Sequence, residues 1–354
     1  MSATDTLPEP DLRAEPFCQY FGQCGGCSLQ HFAEPAYLAH KIGLVEAALR
    51  YAHVEAQIEP MQGAHGDGRR RATLHARGKD VGYMMARTHT LLDIAACPIL
   101  VPALAQRAPA ITRAIAATIG DCDVALTASD TGLDIAIRSE RKIKPERLTI
   151  LAQRLGVARM SVNGEIVITA RPPAIKMGKA LVELPIGSFL QATAMAEATL
   201  AALVADGVGK ATAIADLFCG LGPFALRLAA QARIYAADSD KPGIAALQKA
   251  VRGTQGLKPV TAVVRDLMRE PLVPVELKPY EAVVFGPPRA GAEAQARELA
   301  KSAVKTVVAV SCEPKTFGRD AAILIAGGFR LERLTPVDQF AWSPHVELVG
   351  VFRR

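Results

Sequence analysis

The chain has 354 residues, 50% hydrophobic and 21% charged, which is enough apolar side chain for two packed cores and too much for a disordered chain. No run reaches the roughly 18 apolar residues of a membrane span, and the acidic, proline-bearing start has no apolar signal core, so a cytoplasmic protein is expected. The net charge of +6 favours an acidic partner such as nucleic acid, and an odd count of seven cysteines argues against a disulfide framework and for metal, cluster or nucleophile roles.

Residues 1–17 are expected to form a flexible leader. Cys18, Cys24 and Cys27 follow in a glycine-rich loop with the spacing C-x5-C-x2-C. Short spacers and glycines let such a loop wrap its thiolates around one centre. Cys97 is the best fourth ligand, because Cys122 lies between Asp121 and Asp123 in an expected loop. By ligand type four thiolates suit zinc and an iron–sulfur cluster equally; the unpaired spacing, unlike that of a zinc ribbon, tilts the reading to a [4Fe-4S] cluster. Ordinary buried cysteines are the plain alternative.

A helix is expected over 37–51, with Leu38, Ile42, Val45 and Leu49 on one face. Strand-like runs then dominate, at 71–77, 81–85, 134–138, 161–170 and 181–185, interrupted by helical runs at 102–119 and 145–155, which indicates an α+β region. Its basic cluster of Arg69, Arg70, Arg71, Arg77, Lys79 and Arg87 reads either as a phosphate-contacting surface or as a solvated edge strand.

After Gly187 strands and helices alternate. Helices are expected at 194–204, 224–232, 242–253, 292–301 and 316–326, and strands at 212–216, 233–238, 260–264, 282–285, 306–310, 329–334 and 347–352. This pattern implies a doubly wound, mostly parallel α/β sheet with ligands at the C-terminal ends of its strands. The domains are therefore read as a leader at 1–17, a cluster-bearing α+β RNA-binding region at 18–186 and a catalytic domain at 187–354.

Asp216-Leu217-Phe218-Cys219-Gly220-Leu221-Gly222 is a strand followed by a glycine turn, and a helix start comes next; the turn permits close backbone approach to a nucleotide-type ligand. Asp238 ends the next strand, about twenty residues on, where a carboxylate can take a ribose hydroxyl pair. Asp266 can border a purine, and Gly286-Pro287-Pro288-Arg289 is a rigid turn able to meet a flat substrate. Cys312, at a strand end before a helix, is placed for nucleophilic duty, and Glu347 is an acid opening an apolar strand.

Together the cysteines 18, 24, 27 and 97, the 216–222 turn, the block Ser311-Cys312-Glu313-Pro314-Lys315-Thr316-Phe317-Gly318-Arg319-Asp320 and the closing His345-Val346-Glu347 resemble the RNA uracil-5-methyltransferases. The resemblance spans residues 17–354 and is greatest to the cluster-bearing bacterial 23S rRNA enzymes. It implies a class I S-adenosylmethionine-dependent fold, Cys312 as nucleophile and Glu347 as base, and Gln191 bordering both cofactor and target uracil. With Gln191, the expected cofactor contacts are Asp216, Phe218, Gly220, Gly222, Asp238, Asp266 and Gly286.

Uracil C5 is a weak nucleophile. A thiolate adding at C6 creates an enolate that can attack a methyl group, and a carboxylate must then remove the C5 proton. The base has to be unstacked to reach such a pocket, which fits a loop in structured RNA, and the resemblance implies 23S rRNA as the partner, with no membrane and no obligate protein partner expected. The sequence departs from the family at Gly286 for Asp, Pro223 for Asn, Thr193 for Asn and Glu313 for Asn. The small N-terminal β-barrel of some members is not seen, which leaves RNA affinity to the 60–185 region and the cluster loop. The alternatives are a tRNA uridine substrate and a non-catalytic RNA-binding or redox protein on the same fold. A methyltransferase acting on amine nitrogen would not need Cys312.

Overall fold

The computed structural model describes residues 9–141 and 143–354; of the expected leader, residues 1–8 lie outside that range. Residues 9–17 include a short 3-10 turn, Pro10–Leu12, and are tied down by the Arg13–Phe32 bridge and by Ala33 N donating to Leu12 O at 2.8 Å.

Two sheets organise the chain. The larger has eight strands in the order Gln62–Gly63, Arg330–Asp338, Glu347–Arg353, Thr306–Ser311, Ala282–Phe285, Ala213–Leu217, Arg233–Asp238 and Val260–Val264. All pairs are parallel except those made by Glu347–Arg353, which runs against both neighbours. Its central strands are buried throughout and mostly apolar, as strands covered on both faces must be. One core lies under helices Ala194–Val208 and Lys241–Arg252 and the hairpin Ala174–Met177/Ala180–Glu183. The other lies under Glu34–Tyr51, Glu293–Lys301 and Pro314–Ala326. Helix Glu34–Tyr51 and strand Gln62–Gly63, both early in the chain, thus complete the C-terminal sheet.

The second sheet orders seven strands as Leu91–Asp93, Asp80–Met84, Arg71–Arg77, Cys122–Ser129, Gly132–Arg138, Arg159–Val162 and Glu165–Thr169. Helices Arg107–Ile119 and Pro145–Leu155 cover one face.

Several elements differ from the sequence reading. Cys122 opens a strand and is buried, because the alternation of Cys122–Ser129 turns it inward while Asp123 faces His75 and Arg77. The run 161–170 is two strands, since Asn163 and Gly164, with φ of 50° and 90°, form the tight turn of a hairpin. The run 102–119 divides at Gln106 into Pro102–Ala105 and Arg107–Ile119, and the helix expected at 224–232 keeps only Ala225–Leu228.

Candidate active site

The glycine turn leaves strand Ala213–Leu217 in the middle of the parallel sheet. Phe218, Gly220 and Gly222 all have positive φ (61°, 53° and 79°), and only the glycines take that conformation without strain. At Gly222 a Cβ would lie 2.6 Å from Leu247 Cδ1, so a side chain there requires Leu247 to shift as well. The Asp216 carboxylate, 1% exposed, accepts the Ala225 N–H at 2.9 Å, and burial pushes its pKa up to about 7. Asp216 is therefore turned inward, as the peg that holds the turn. Asp238, one strand over, accepts from Gly220 N at 2.9 Å and from Asp240 N at 2.8 Å, leaving further carboxylate lone pairs facing out. Asp266 lies two residues past the end of the next strand over, Val260–Val264, and accepts from Met268 N at 3.1 Å. Gly286 donates to Leu217 O at 3.1 Å, which places it beside the turn on the other side. Apart from Gln191, which precedes helix Ala194–Val208, the expected cofactor residues thus lie at or just past adjacent C-terminal strand ends.

Pro223 removes no hydrogen bond that this turn uses: Gly222 N donates to Cys219 O and Leu226 N to Gly222 O. Thr193 is the N-cap of Ala194–Val208, accepting from Ala196 N at 2.9 Å and donating to Ala64 O.

The strand pairing brings Cys312 and Glu347 together. Ser311 is paired with Leu348 in an antiparallel ladder, so the next pair outward is Cys312 and Glu347, on one face. Glu347 is 5% exposed, and burial raises its pKa to about 7 against the hydrogen bond from Gln339 and the charge of Arg289. The half-buried Cys312 thiol is also raised, first by burial and then by the Glu347 charge, while the Arg289 guanidinium beside it lowers it through charge and a hydrogen bond. Arg289 Nη2 also donates to His345 Nε2 at 3.5 Å, and burial keeps His345 below its ordinary pKa.

The first turn of Pro314–Ala326 clamps the loop that carries Arg289. Thr316 Oγ1 donates to Arg289 O at 3.1 Å and Arg319 Nη2 to Ala290 O at 3.1 Å. Glu313 is the N-cap of this helix, accepting from Lys315 N at 3.4 Å. The sequence reading assigned Arg289 no side-chain role; its place beside two titratable groups comes from pairing across the sheet.

Gln191 sits at the edge of the same site. Its backbone carbonyl accepts Arg70 Nε at 3.0 Å, and the Arg70 guanidinium continues to Glu197 at 2.6 Å, which also pairs with Arg227 at 2.8 Å. Arg70 is therefore internal structure and no part of a phosphate surface. Arg77, likewise expected there, pairs with Asp123. A second residue absent from the sequence reading, Gln339, joins Gln191 to Glu347.

Cys18, Cys24, Cys27 and Cys97 line one cavity of about 700 Å3, together with Arg69, Arg71 and Tyr83. Gln30 and Arg69 both draw the Cys27 thiol down against its burial, which still leaves it at about 11. Gln30 Nε2 and Arg69 Nε are buried with no hydrogen-bond partner among the described residues. Arg69 Nε, buried beside the four thiols, is a donor that an anionic group held by them would satisfy. Among the described residues no group of three or more His, Cys, Asp or Glu side chains is arranged to hold a metal ion.

The doubly wound sheet with a glycine turn in its middle is the fold of the α/β S-adenosylmethionine-dependent methyltransferases. The chain belongs to the tRNA (uracil-5-)-methyltransferase family, which it matches over residues 176–354, and it is an enzyme, an RNA uracil-5-methyltransferase. It is 44% identical to an uncharacterized RNA methyltransferase of Brucella suis, over 100% of this chain and 87% of that protein. It is 32% identical to the 23S rRNA (uracil(1939)-C(5))-methyltransferase RlmD of Pseudomonas fluorescens, over 97% of this chain and 81% of that protein. Among solved structures, the Pyrococcus abyssi tRNA (uracil-54, C5)-methyltransferase in complex with S-adenosyl-L-homocysteine shares the fold, with a TM-score of 0.75 at 20% identity over 93% of this chain and 86% of that one. Among the described residues no helix is long and apolar enough to cross a membrane.

Proposed function

We propose that this enzyme methylates C5 of a uridine in 23S rRNA through a covalent bond between Cys312 Sγ and uracil C6. The observation that carries the reading is the cross-strand pair of Cys312 and Glu347 with Arg289 against both. The 23S substrate is favoured over tRNA by the likeness to RlmD along nearly the whole chain.

Cys312, as thiolate, adds to C6, and the C5=C6 electron pair moves onto the C4 carbonyl oxygen as an enolate. C5 then takes the methyl group, which S-adenosylmethionine supplies when bound, leaving the thioether S-adenosylhomocysteine. Glu347 removes the C5 proton, the C5=C6 bond re-forms, and the Sγ–C6 bond breaks to return the thiolate. Arg289 offsets negative charge on both residues in turn. A base with a pKa of about 7 is half ionised at neutral pH, which suits proton transfer in both directions.

The cofactor would lie across the 216–222 turn, with Asp238 on its ribose, Asp266 at its purine, and Phe218, Gly220, Gly222 and Gly286 offering backbone and surface. Cys18, Cys24, Cys27 and Cys97 would hold a [4Fe-4S] cluster, whose chemistry here is to cross-link the 18–27 loop to residue 97. The domain reading, with residues 18–186 as the cluster and RNA-binding region and 187–354 as the catalytic domain, is kept as part of this proposal, except that helix Glu34–Tyr51, strand Gln62–Gly63 and the Ala174–Glu183 hairpin are built into the catalytic sheet and its core.

Incubation of the protein with S-adenosylmethionine and 5-fluorouridine-substituted 23S rRNA or tRNA tests the reading, because fluorine at C5 cannot leave as a proton and the adduct persists. A denaturation-resistant adduct with 23S rRNA that is lost in Cys312→Ala is expected. No adduct in the wild type refutes the mechanism, and an adduct with tRNA alone refutes the substrate.

A further inference from the structure

Gln339 follows the last residue of strand Arg330–Asp338 and has no solvent exposure. Its Nε2 donates to Glu347 Oε1 at 2.7 Å and to Gln191 Oε1 at 2.8 Å, and its Oε1 accepts the Ala192 N–H at 2.8 Å. The ends of this amide are not interchangeable. A backbone N–H can only donate, so it must meet the oxygen; an ionised carboxylate can only accept, so it must meet the nitrogen. Both N–H groups are thereby committed, one to each residue proposed to meet the substrate.

The residue before it is fixed from the opposite side. Asp338 accepts from Lys41 Nζ at 2.6 Å and from Tyr37 Oη at 2.5 Å, both on helix Glu34–Tyr51. Gln339 therefore sits on a backbone that cannot easily shift. Among the described residues its N–H is the one side-chain hydrogen bond that Glu347 receives, in a site where burial otherwise favours the protonated acid.

We propose that Gln339 is a positioning residue for proton removal: it holds the Glu347 carboxylate ionised and aimed, and ties it to Gln191 so that acceptor and base-contacting amide keep one fixed relation. This rests on the reading of Glu347 as the base. The charged and titratable groups acting on Glu347 are Cys312 from the end of Thr306–Ser311 and Arg289 from the 286–291 loop, with His345 two residues before it on its own segment, against Arg289, and the Lys41–Asp338 pair behind Gln339. None of them replaces the amide, because Arg289 acts on Cys312 as well and His345 is held neutral.

The test is the pH dependence of single-turnover methylation of uridine RNA by the wild type, Gln339→Met, which keeps volume and loses the donors, and Gln339→Glu, which keeps shape and puts an acceptor where the donor was. Loss of one donor to a buried carboxylate is expected to move the acid limb up by about one pH unit, so that Gln339→Met is about fivefold slower at pH 7 and converges on wild type near pH 9. Gln339→Glu is expected to shift at least as far. Adduct formation with 5-fluorouridine RNA, which needs no proton removal, is measured in parallel and keeps its wild-type acid limb in both variants. A wild-type acid limb for turnover in whichever variant folds overturns the proposal. A wild type that forms neither adduct nor product instead removes the functional reading itself, so the two failures are told apart.

Discussion

Replacing Lys41 by methionine tests how helix Glu34–Tyr51 is held to the catalytic sheet. Lys41 has no solvent exposure, and its three ammonium hydrogens are used by Asp338 Oδ1 at 2.6 Å, Tyr37 Oη at 3.0 Å and Phe340 O at 3.3 Å. Burial still lowers its pKa more than Asp338 raises it, so taking the ammonium out of water is not fully repaid. Lys41→Met leaves Asp338 buried with Tyr37 as its remaining side-chain donor, and removing one partner of such a pair costs about 3–5 kcal/mol. Removing both partners leaves no unpaired charge, so Lys41→Met combined with Asp338→Leu is expected to recover more than half of that loss. Urea unfolding followed by circular dichroism on the two single variants and the double variant measures the cycle. A loss under about 1 kcal/mol for Lys41→Met, or a double variant as unstable as the sum of the singles, refutes the reasoning.

Three other substitutions probe the site. Gly222→Ala places a Cβ 2.6 Å from Leu247 Cδ1 at a φ of +79° and is expected to cost about 1–3 kcal/mol and to weaken S-adenosylhomocysteine binding in calorimetry; unchanged values on both counts refute the tight-turn account. Gly286→Ala meets nothing nearer than Val310 Cβ at 3.9 Å, so unfolding should show it neutral or up to about 1 kcal/mol more stable; a loss of more than about 1 kcal/mol would contradict the open space around this Cβ. Glu347→Gln removes a carboxyl that stays protonated to about pH 7 in the folded chain, against an ordinary value of 4.5. Between these pH values the folded state binds more protons, so wild-type stability declines as pH rises through the window. The variant should lack that decline and be more stable at pH 8 by an amount on the order of 3 kcal/mol; parallel stability–pH curves for the two proteins refute the assignment.

The parallel sheet was legible because each of its elements announces itself locally: apolar runs too short for helices, separated by amphipathic runs of helical length and by glycine. Local signals also explain two misreadings. Asn163-Gly164 is a hairpin turn signal inside a strand-like run, and Cys122 sits between acids that alternation sends to the opposite face. Both were readable by stricter attention to period and turn chemistry. Gln339, Arg289 and Lys41 are different. Gln339 meets a residue 148 positions earlier, and Lys41 one that is 297 positions later. Nothing in the spacing around a lone glutamine or lysine marks it for such a partner, and a polar residue in an apolar stretch reads as exposed until the fold buries it. The Cys312–Glu347 pair lies between these cases. Each residue was visible as a chemical type at a strand end, but their adjacency depends on the last strand entering antiparallel, against the direction of all its neighbours. Had Glu347–Arg353 run parallel, its first residue would lie at the N-terminal edge of the sheet, away from the glycine turn. The reversal of one strand is what places a general base across from a nucleophile.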